Sequence, residues 1–307
     1  MELATKKIII IKMALLLTLA SISVNAIGDN SVRGVAEGFY TDTDYDDGNK
    51  LSLYGGGFGY YLAPVERDNL PWNEADFLQR ASAVTALYAT GDWTGEPGIK
   101  DYNSQLYAFS FHYADKGNPI IAQVLYSKSE QNWKYIPRGD AKGNSRDETI
   151  EAGIGVYLAK NIALGLGYRS NDSETKYEAL QFRSKNIQDT IAVSAKWVHV
   201  FDQNSALNLE GGLDFEKNKD EDGTKEDNTI LSVNTDYYIT NKTSVGVGIA
   251  YKSGDSKSVE GISYGIGFNT YLIKALSIRF GYQKFNAKNT DEGMDYNGIN
   301  ASIAYWF

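Results

Sequence analysis

The chain offers little with which to run acid–base or nucleophilic chemistry. Of its 307 residues two are histidine, His112 and His199, and none is cysteine. Disulfides and thiolate metal sites are therefore excluded. His112 shares a face with Ala108 and Ser110. His199 follows Trp197 near a short turn, a placement suited to an aromatic belt. No serine stands on the apolar face of the flanking segments Ile162–Leu166 and Leu207–Leu213. A hydrolase needs a nucleophile with a base beside it, so the sequence predicts a protein that is not an enzyme.

Two further motifs invite ligands and fail on inspection. Five Gly-x-Gly pairs with a middle residue other than glycine occur, at Gly57/Gly59, Gly153/Gly155, Gly165/Gly167, Gly246/Gly248 and Gly265/Gly267. A phosphate-binding loop follows a strand and opens a helix, whereas these pairs sit inside alternating segments. They read as inward glycines that permit curvature and leave room. Asn218, Asp220, Asp222 and Gly223 match the first half of an EF-hand loop, but Thr229 stands where a bidentate Glu is required. In Asp42-Thr43-Asp44-Tyr45-Asp46-Asp47 an Asp occupies the Gly position. Neither metal nor cofactor is expected.

What remains is a set of single charges among small residues: Glu151, Arg169, Lys196, Glu210, Asp236, Lys252 and Arg279. Around a wet passage such charges set a transverse field and choose among ions. Paired with one another they would instead plug a narrow one. The small residues beside them favour the passage, so these seven are the candidate pore-lining residues.

The elements that must position them follow a period of two. In Ile150–Leu158 the even-numbered residues are apolar, and the odd face carries Glu151, Gly153, Gly155 and Tyr157. Thr243–Lys252 and Leu276–Gln283 repeat the pattern, with Lys252 and Arg279 on the small face. A strand sends successive side chains to opposite sides, so each segment makes one greasy and one small or polar face. Aromatics cluster on the greasy face, as at Tyr107, Phe109, Phe111, Tyr168, Tyr251 and Tyr282. Amphipathic rings prefer the level of lipid headgroups. A soluble sandwich also alternates, but it keeps charges on its outer faces.

Connections alternate long and short. Asp115–Pro119, Ala159–Asn161, Asp202–Ser205, Thr240–Lys242 and Ile273–Ala275 are short; Lys128–Glu148, Ser170–Asn186, Glu216–Asn228 and Asn286–Asp295 are long. Outer-membrane barrels sort their loops this way. Ala63–Asp76 breaks the rule, a long connection on the short side, and Pro71–Asp76 there reads as a helical turn. The fold class is thus all-β: a transmembrane antiparallel up-and-down β-barrel of about 14 strands, with 12 or 16 as alternatives. Strands are expected to start near Ser31, Lys50, Phe77, Gln105, Ile120, Thr149, Ile162, Ile187, Ala206, Thr229, Thr243, Glu260, Leu276 and Asn297.

Ahead of the barrel, Met1–Ala26 reads as a secretory signal peptide. Lys6, Lys7 and Lys12 lead, Met13–Val24 is apolar, and Val24-Asn25-Ala26 fits the cleavage pattern. The division is therefore 1–26 leader and 27–307 barrel. Removing three lysines and one glutamate from 30 basic and 39 acidic residues leaves 27 and 38, net −11. That balance excludes a generic nucleic-acid partner and predicts a cation preference.

The last strand ends Ala304-Tyr305-Trp306-Phe307, with Ile299, Ala301, Ile303, Tyr305 and Phe307 on one face. This terminus resembles the assembly signal of Gram-negative outer-membrane barrels. With the leader, the hairpin repeat and the size, the mature chain resembles the general bacterial porins, as does Phe77-Leu78-Gln79-Arg80-Ala81-Ser82. The resemblance implies a place in the outer membrane among lipid and lipopolysaccharide, and insertion by the barrel assembly machinery through Tyr305 and Phe307. It implies passive diffusion of small polar solutes, by a monomer or a homotrimer. It also implies that a loop near Lys128–Glu148 folds into the lumen, which makes Lys134, Arg138, Asp140 and Lys142 candidate constriction residues; an exposed loop is the alternative. Two other functions stay open: a selective channel for acidic oligosaccharides, if Arg169, Lys196, Lys252 and Arg279 align, and a closed barrel for adhesion or anchoring.

Overall fold

The computed structural model describes residues 31–46, 50–94, 99–135, 141–177, 182–202, 205–220, 225–254, 260–288 and 295–307. The leader reading of Met1–Ala26 lies outside the described residues. Fourteen strands follow in order: β1 (Ser31–Tyr45), β2 (Lys50–Glu66), β3 (Ala83–Thr94), β4 (Ile99–Asp115), β5 (Asn118–Tyr135), β6 (Ala141–Ala159), β7 (Ile162–Tyr177), β8 (Phe182–Val200), β9 (Ala206–Asp220), β10 (Lys225–Thr240), β11 (Thr243–Gly254), β12 (Gly261–Ile273), β13 (Leu276–Ala287) and β14 (Tyr296–Trp306). Each pairs antiparallel with its sequence neighbours, and β14 pairs with β1, so the sheet is a closed up-and-down barrel. No helix among the described residues is long and apolar enough to cross a membrane.

The period of two decides which side chains meet lipid. Ile154, Leu158, Leu166 and Ile249 are 60%, 61%, 54% and 55% exposed, and every strand from β2 to β14 contributes exposed apolar positions. An apolar belt of this extent far exceeds what a soluble protein shows to water, and a closed sheet leaves no strand edge unsatisfied in lipid. The opposite face is small. Gly153 and Gly155 of β6 lie directly across from Gly167 and Gly165 of β7, and Gly246 and Gly248 of β11 face Gly267 and Gly265 of β12. The Gly-x-Gly pairs are thus mid-strand, and four of the five oppose one another across a ladder.

The seam closes on the terminal residue. Gly34 N donates to Phe307 O at 2.8 Å and Phe307 N donates to Gly34 O at 3.0 Å. The Phe307 ring lies over Gly34, where an added Cβ would come within 2.5 Å of it. Only glycine admits that ring there.

Two expected boundaries move. Phe77 starts no strand: it lies in a five-residue helix α1 (Ala75–Gln79), and the third strand begins at Ala83. The helix ends at Arg80, whose φ of 55° lies in the left-handed region and whose N–H reaches the carbonyls of Asp76 and Phe77. The long connections are also shorter than apolarity suggested. Lys128–Glu148 is mostly strand, since β5 runs on to Tyr135 and β6 starts at Ala141. Hydrogen bonding continues past the lipid boundary while the outward residues turn polar, so a reading based on greasy alternation stops too soon.

Candidate pore and its plug

The connection from β2 to β3 carries the most consequential geometry. Residues 67–82 turn into the barrel at its short-turn end instead of passing over the rim. Their contacts reach the wall on all sides. Inward tyrosines from three strands donate hydroxyls to them: Tyr157 of β6 to Phe77 O at 3.1 Å, Tyr238 of β10 to Glu74 Oε1 at 2.8 Å, and Tyr271 of β12 to Asn73 Oδ1 at 2.8 Å. Tyr61 of β2 donates to Asp76 Oδ2 at 3.4 Å, and Ser82 Oγ donates to Ala114 O of β4 at 2.7 Å. Trp72 N donates to Asn241 O in the β10–β11 turn at 2.9 Å. A buried neutral hydrogen bond is worth about 0.5–1.5 kcal/mol net, so the set holds the segment across the opening by several kcal/mol.

Arg67 anchors one end. Its guanidinium is buried and stands 4.2 Å from the Trp306 ring centroid, 4.9 Å from Tyr271 and 5.3 Å from Trp72. Nη1 donates to Lys274 O at 3.2 Å. Burial pulls its pKa below the ordinary arginine value; three ring faces supply attraction that water would otherwise give. Trp306 is therefore an inward residue of the last strand, its Nε1 donating to Ser277 Oγ at 3.0 Å. Its neighbours Tyr305 and Phe307, named from the sequence as the assembly signal, face outward, with ring centroids 6.3 Å apart.

Glu74 anchors the middle and is 4% exposed. Its Oε2 lies 2.8 Å from Lys196 Nζ, which also lies 2.7 Å from Glu210 Oε1. Burial holds the Glu74 carboxyl above the ordinary glutamate range, with Lys196 and the Tyr238 hydroxyl opposing. Desolvation of the carboxylate outweighs the attraction of the ammonium, which Glu74 shares with Glu210.

The sequence-derived charges all stand on the inner face. Arg169 Nε is 3.3 Å from Glu151 and its Nη2 is 4.0 Å from Asp214; Lys252 is 3.1 Å from Glu216. Asp236 and Arg279 line a cavity of about 320 Å³ together with Glu74, Glu210, Asn208 and Asn269. A cavity of about 460 Å³ adjoins it at Glu210 and is bounded by Phe77, His112, Glu151 and Lys196. A third, of about 470 Å³, shares Asp236 and Arg279 and runs up β10–β14 past Gln283 and Asn300. The three cavities share lining residues, and side chains of the plug line the first two.

Sequence reasoning missed Glu74, Arg67, Asp214, Glu216 and the plug itself. One signal was present: Tyr157, Tyr238 and Tyr271 are bulky residues on an otherwise small face, each close to a short turn. The candidate constriction residues fall elsewhere. Lys134 and Lys142 are strand residues that oppose one another across β5–β6 with outward parity; Arg138 and Asp140 lie outside the described residues. The narrowing seen among the described residues comes from the opposite end. His199 sits between Trp197 and Phe201, with ring centroids 5.5 and 4.6 Å away, and His112 faces inward. No group of acidic or histidine residues suited to a metal occurs among the described residues; Asp222 and Gly223 lie outside them.

Closed wall, greasy exterior and polar, plugged interior define a class: the transmembrane antiparallel β-barrel. No family model matches the chain and no curated protein matches its sequence. Among solved structures it is similar to the outer membrane protein Omp33 of Acinetobacter baumannii, at 17% identity and a TM-score of 0.59, over 91% of this chain and 99% of that one. It is also similar to CdiB of Acinetobacter baumannii, at 7% and 0.53 over 89% and 60% of the two chains, and to the toluene transporter TbuX of Ralstonia pickettii, at 12% and 0.51 over 91% and 89%. At identities this low the structural likeness shows a shared fold alone.

Proposed function

We propose that the protein is a non-enzymatic outer-membrane channel through which small hydrophilic solutes and ions diffuse, with residues 67–82 narrowing the periplasmic mouth. The carrying observation is the interior: cavities with shared walls, lined by small residues and flanked by ion pairs, inside a barrel whose outside is greasy. The short-turn rim is the periplasmic one, as loop asymmetry in outer-membrane barrels requires. Lys196 lies between Glu74 and Glu210, and Arg169 between Glu151 and Asp214. Carboxylates outnumber their cationic partners, which supports a preference for cations. The same pairing argues against an acidic-oligosaccharide channel, since Arg169, Lys196 and Lys252 each face carboxylates instead of forming a cationic line.

Planar-bilayer recording with a salt gradient tests the proposal. Discrete conductance steps and a cation-selective reversal potential are expected. Replacing residues 68–81 by a two-residue turn is expected to raise the conductance several-fold. A clear anion preference would overturn the selectivity. The plug itself favours one other reading, a closed barrel that anchors or adheres, and silence of both the full chain and the shortened variant would establish it.

A further inference from the structure

We infer that the outer face of the rim over β5–β10 is a binding site for the phosphorylated sugars of an outer-leaflet glycolipid. The inference rests on the outer-membrane reading above, and on none of the lumen. Three successive hairpins at the long-hairpin end, β5–β6, β7–β8 and β9–β10, each carry two cations directly opposite one another: Lys134 and Lys142, Lys176 and Arg183, Lys219 and Lys225. Like charges in that relation destabilise a sheet, yet the arrangement occurs on three neighbouring hairpins. Among the described residues no other hairpin at this end has it. On β1–β2 the corresponding pair is Asp44 and Lys50, joined at 2.7 Å.

All six point outward. Lys134 has the parity of Val124 and Tyr126, Lys142 that of Ile150, Lys176 that of Tyr168, Arg183 that of Ile191, Lys219 that of Phe215 and Lys225 that of Leu231, all exposed apolar residues of the lipid face. Closer to the belt the outward charges neutralise one another: Lys128 with Glu130, Arg146 with Glu148, and Lys185 with Asp172 at 2.7 Å. Glu174 reaches the upper row, where it meets both Lys176 and Arg183. Lys142, Lys219 and Lys225 have no carboxylate at ion-pairing distance among the described residues. The wall is also taller here: β5, β6 and β8 run 18, 19 and 19 residues, against 12, 13, 12 and 11 for β11 to β14.

Height selects the ligand. With a rise of about 3.4 Å per residue and a tilt of about 40°, the six cations stand roughly 10–20 Å beyond the last apolar outward residues. The headgroup layer of a phospholipid leaflet is only about 5–8 Å thick. Phosphates that meet this row must therefore be lifted above the acyl chains on a stack of sugars. Lysine and arginine hold phosphate by charge-assisted hydrogen bonds, and opposed cations 5 Å or so apart suit a group with several anionic oxygens.

The test uses the full-length barrel in detergent and a variant with Lys134, Lys142, Lys176, Arg183, Lys219 and Lys225 all changed to Gln. Folding of both is verified by the mobility shift of unheated samples on gels. The probes are a rough-type lipopolysaccharide with phosphorylated inner core, the same lipid dephosphorylated, and phosphatidylglycerol. Wild type is expected to bind the phosphorylated glycolipid about tenfold more tightly than either other lipid, and the variant to lose that margin. Equal binding of the three lipids by wild type, or an undiminished margin in the variant, overturns the site. Ion current measured on the same samples separates the readings. A silent barrel that keeps the margin fails as a channel only, and a conducting barrel without it lacks only the site.

Discussion

Glu74 Oε1 accepts the Tyr238 hydroxyl while Oε2 faces an ammonium that Glu210 also engages. Changing Glu74 to Ala leaves that hydroxyl buried without an acceptor, a cost of about 1–3 kcal/mol, and removes the plug's contacts with Tyr238 and Lys196 among its several links to the wall. Because the barrel ladders are untouched, the expected outcome is a higher single-channel conductance with little change in the melting temperature of the barrel; an unchanged conductance would show that Glu74 does not hold the plug. The pH response follows from the raised Glu74 pKa, whose cause is burial. A plugged state that binds the proton more tightly than the open one is favoured by acid: the contribution is full below the ordinary glutamate value and fades as pH rises through the raised one. Conductance is thus expected to fall as pH drops from 7 towards 4. Lys196 and Tyr238 keep their protonation across this window, but Glu210 and Asp76 also lie near. Glu74→Gln, which keeps an acceptor and cannot titrate, isolates the effect. A slope that survives in Glu74→Gln does not come from Glu74.

At the scale of elements, the hairpins and the plug differ in how they are encoded. Alternation such as Ile150, Ala152, Ile154, Val156, Leu158 against Glu151, Gly153, Gly155 is local, so strands and faces were legible from the sequence. Turns such as Asn241-Lys242 were legible for the same reason. The upper strand ends were not, because past Tyr126 and Tyr168 the outward positions become charged while pairing goes on. The plug was read only as a helical turn. Its contacts join Asn73 to Tyr271 and Phe77 to Tyr157, pairs too far apart in sequence for any local pattern to announce them. A covalent lock tests the element as a unit. The chain has no native cysteine, and Trp72 N lies 2.9 Å from Asn241 O, which places the two backbones within the reach of a disulfide. With Trp72→Cys and Asn241→Cys together, oxidation is expected to hold conductance at its low level and reduction to raise it, since the Trp72 ring no longer packs on Arg67. Identical traces before and after reductant would mean that the segment does not move.

The whole molecule is stable only if its two faces meet different solvents, and that can be tested by placing one charge on each. Leu166 is 54% exposed on the outward face of β7, with Ile154 and Val193 beside it on the neighbouring strands. Arginine there must sit in hydrocarbon near mid-barrel, at a cost of about 2–4 kcal/mol. Gly167, the next residue, points inward, where an added Cβ would meet Ala152 O and the Ala192 Cβ at 3.8 Å, an ordinary contact. Serine at that position adds a small polar group to a wet wall and is expected to cost little. Equilibrium unfolding from lipid vesicles in denaturant reads both variants on one scale. A soluble sandwich of the same sequence would bury Leu166 against a second sheet; there too Leu166→Arg is damaging, but the protein would unfold from buffer without lipid. The discriminating measurement is therefore the dependence on the bilayer. Leu166→Arg is expected to lose less stability in thin, short-chain lipid than in thick lipid, because an arginine near the middle of a thinner film reaches water more easily. Equal losses in both films would mean that the greasy face is not in lipid, and the channel reading would go with it.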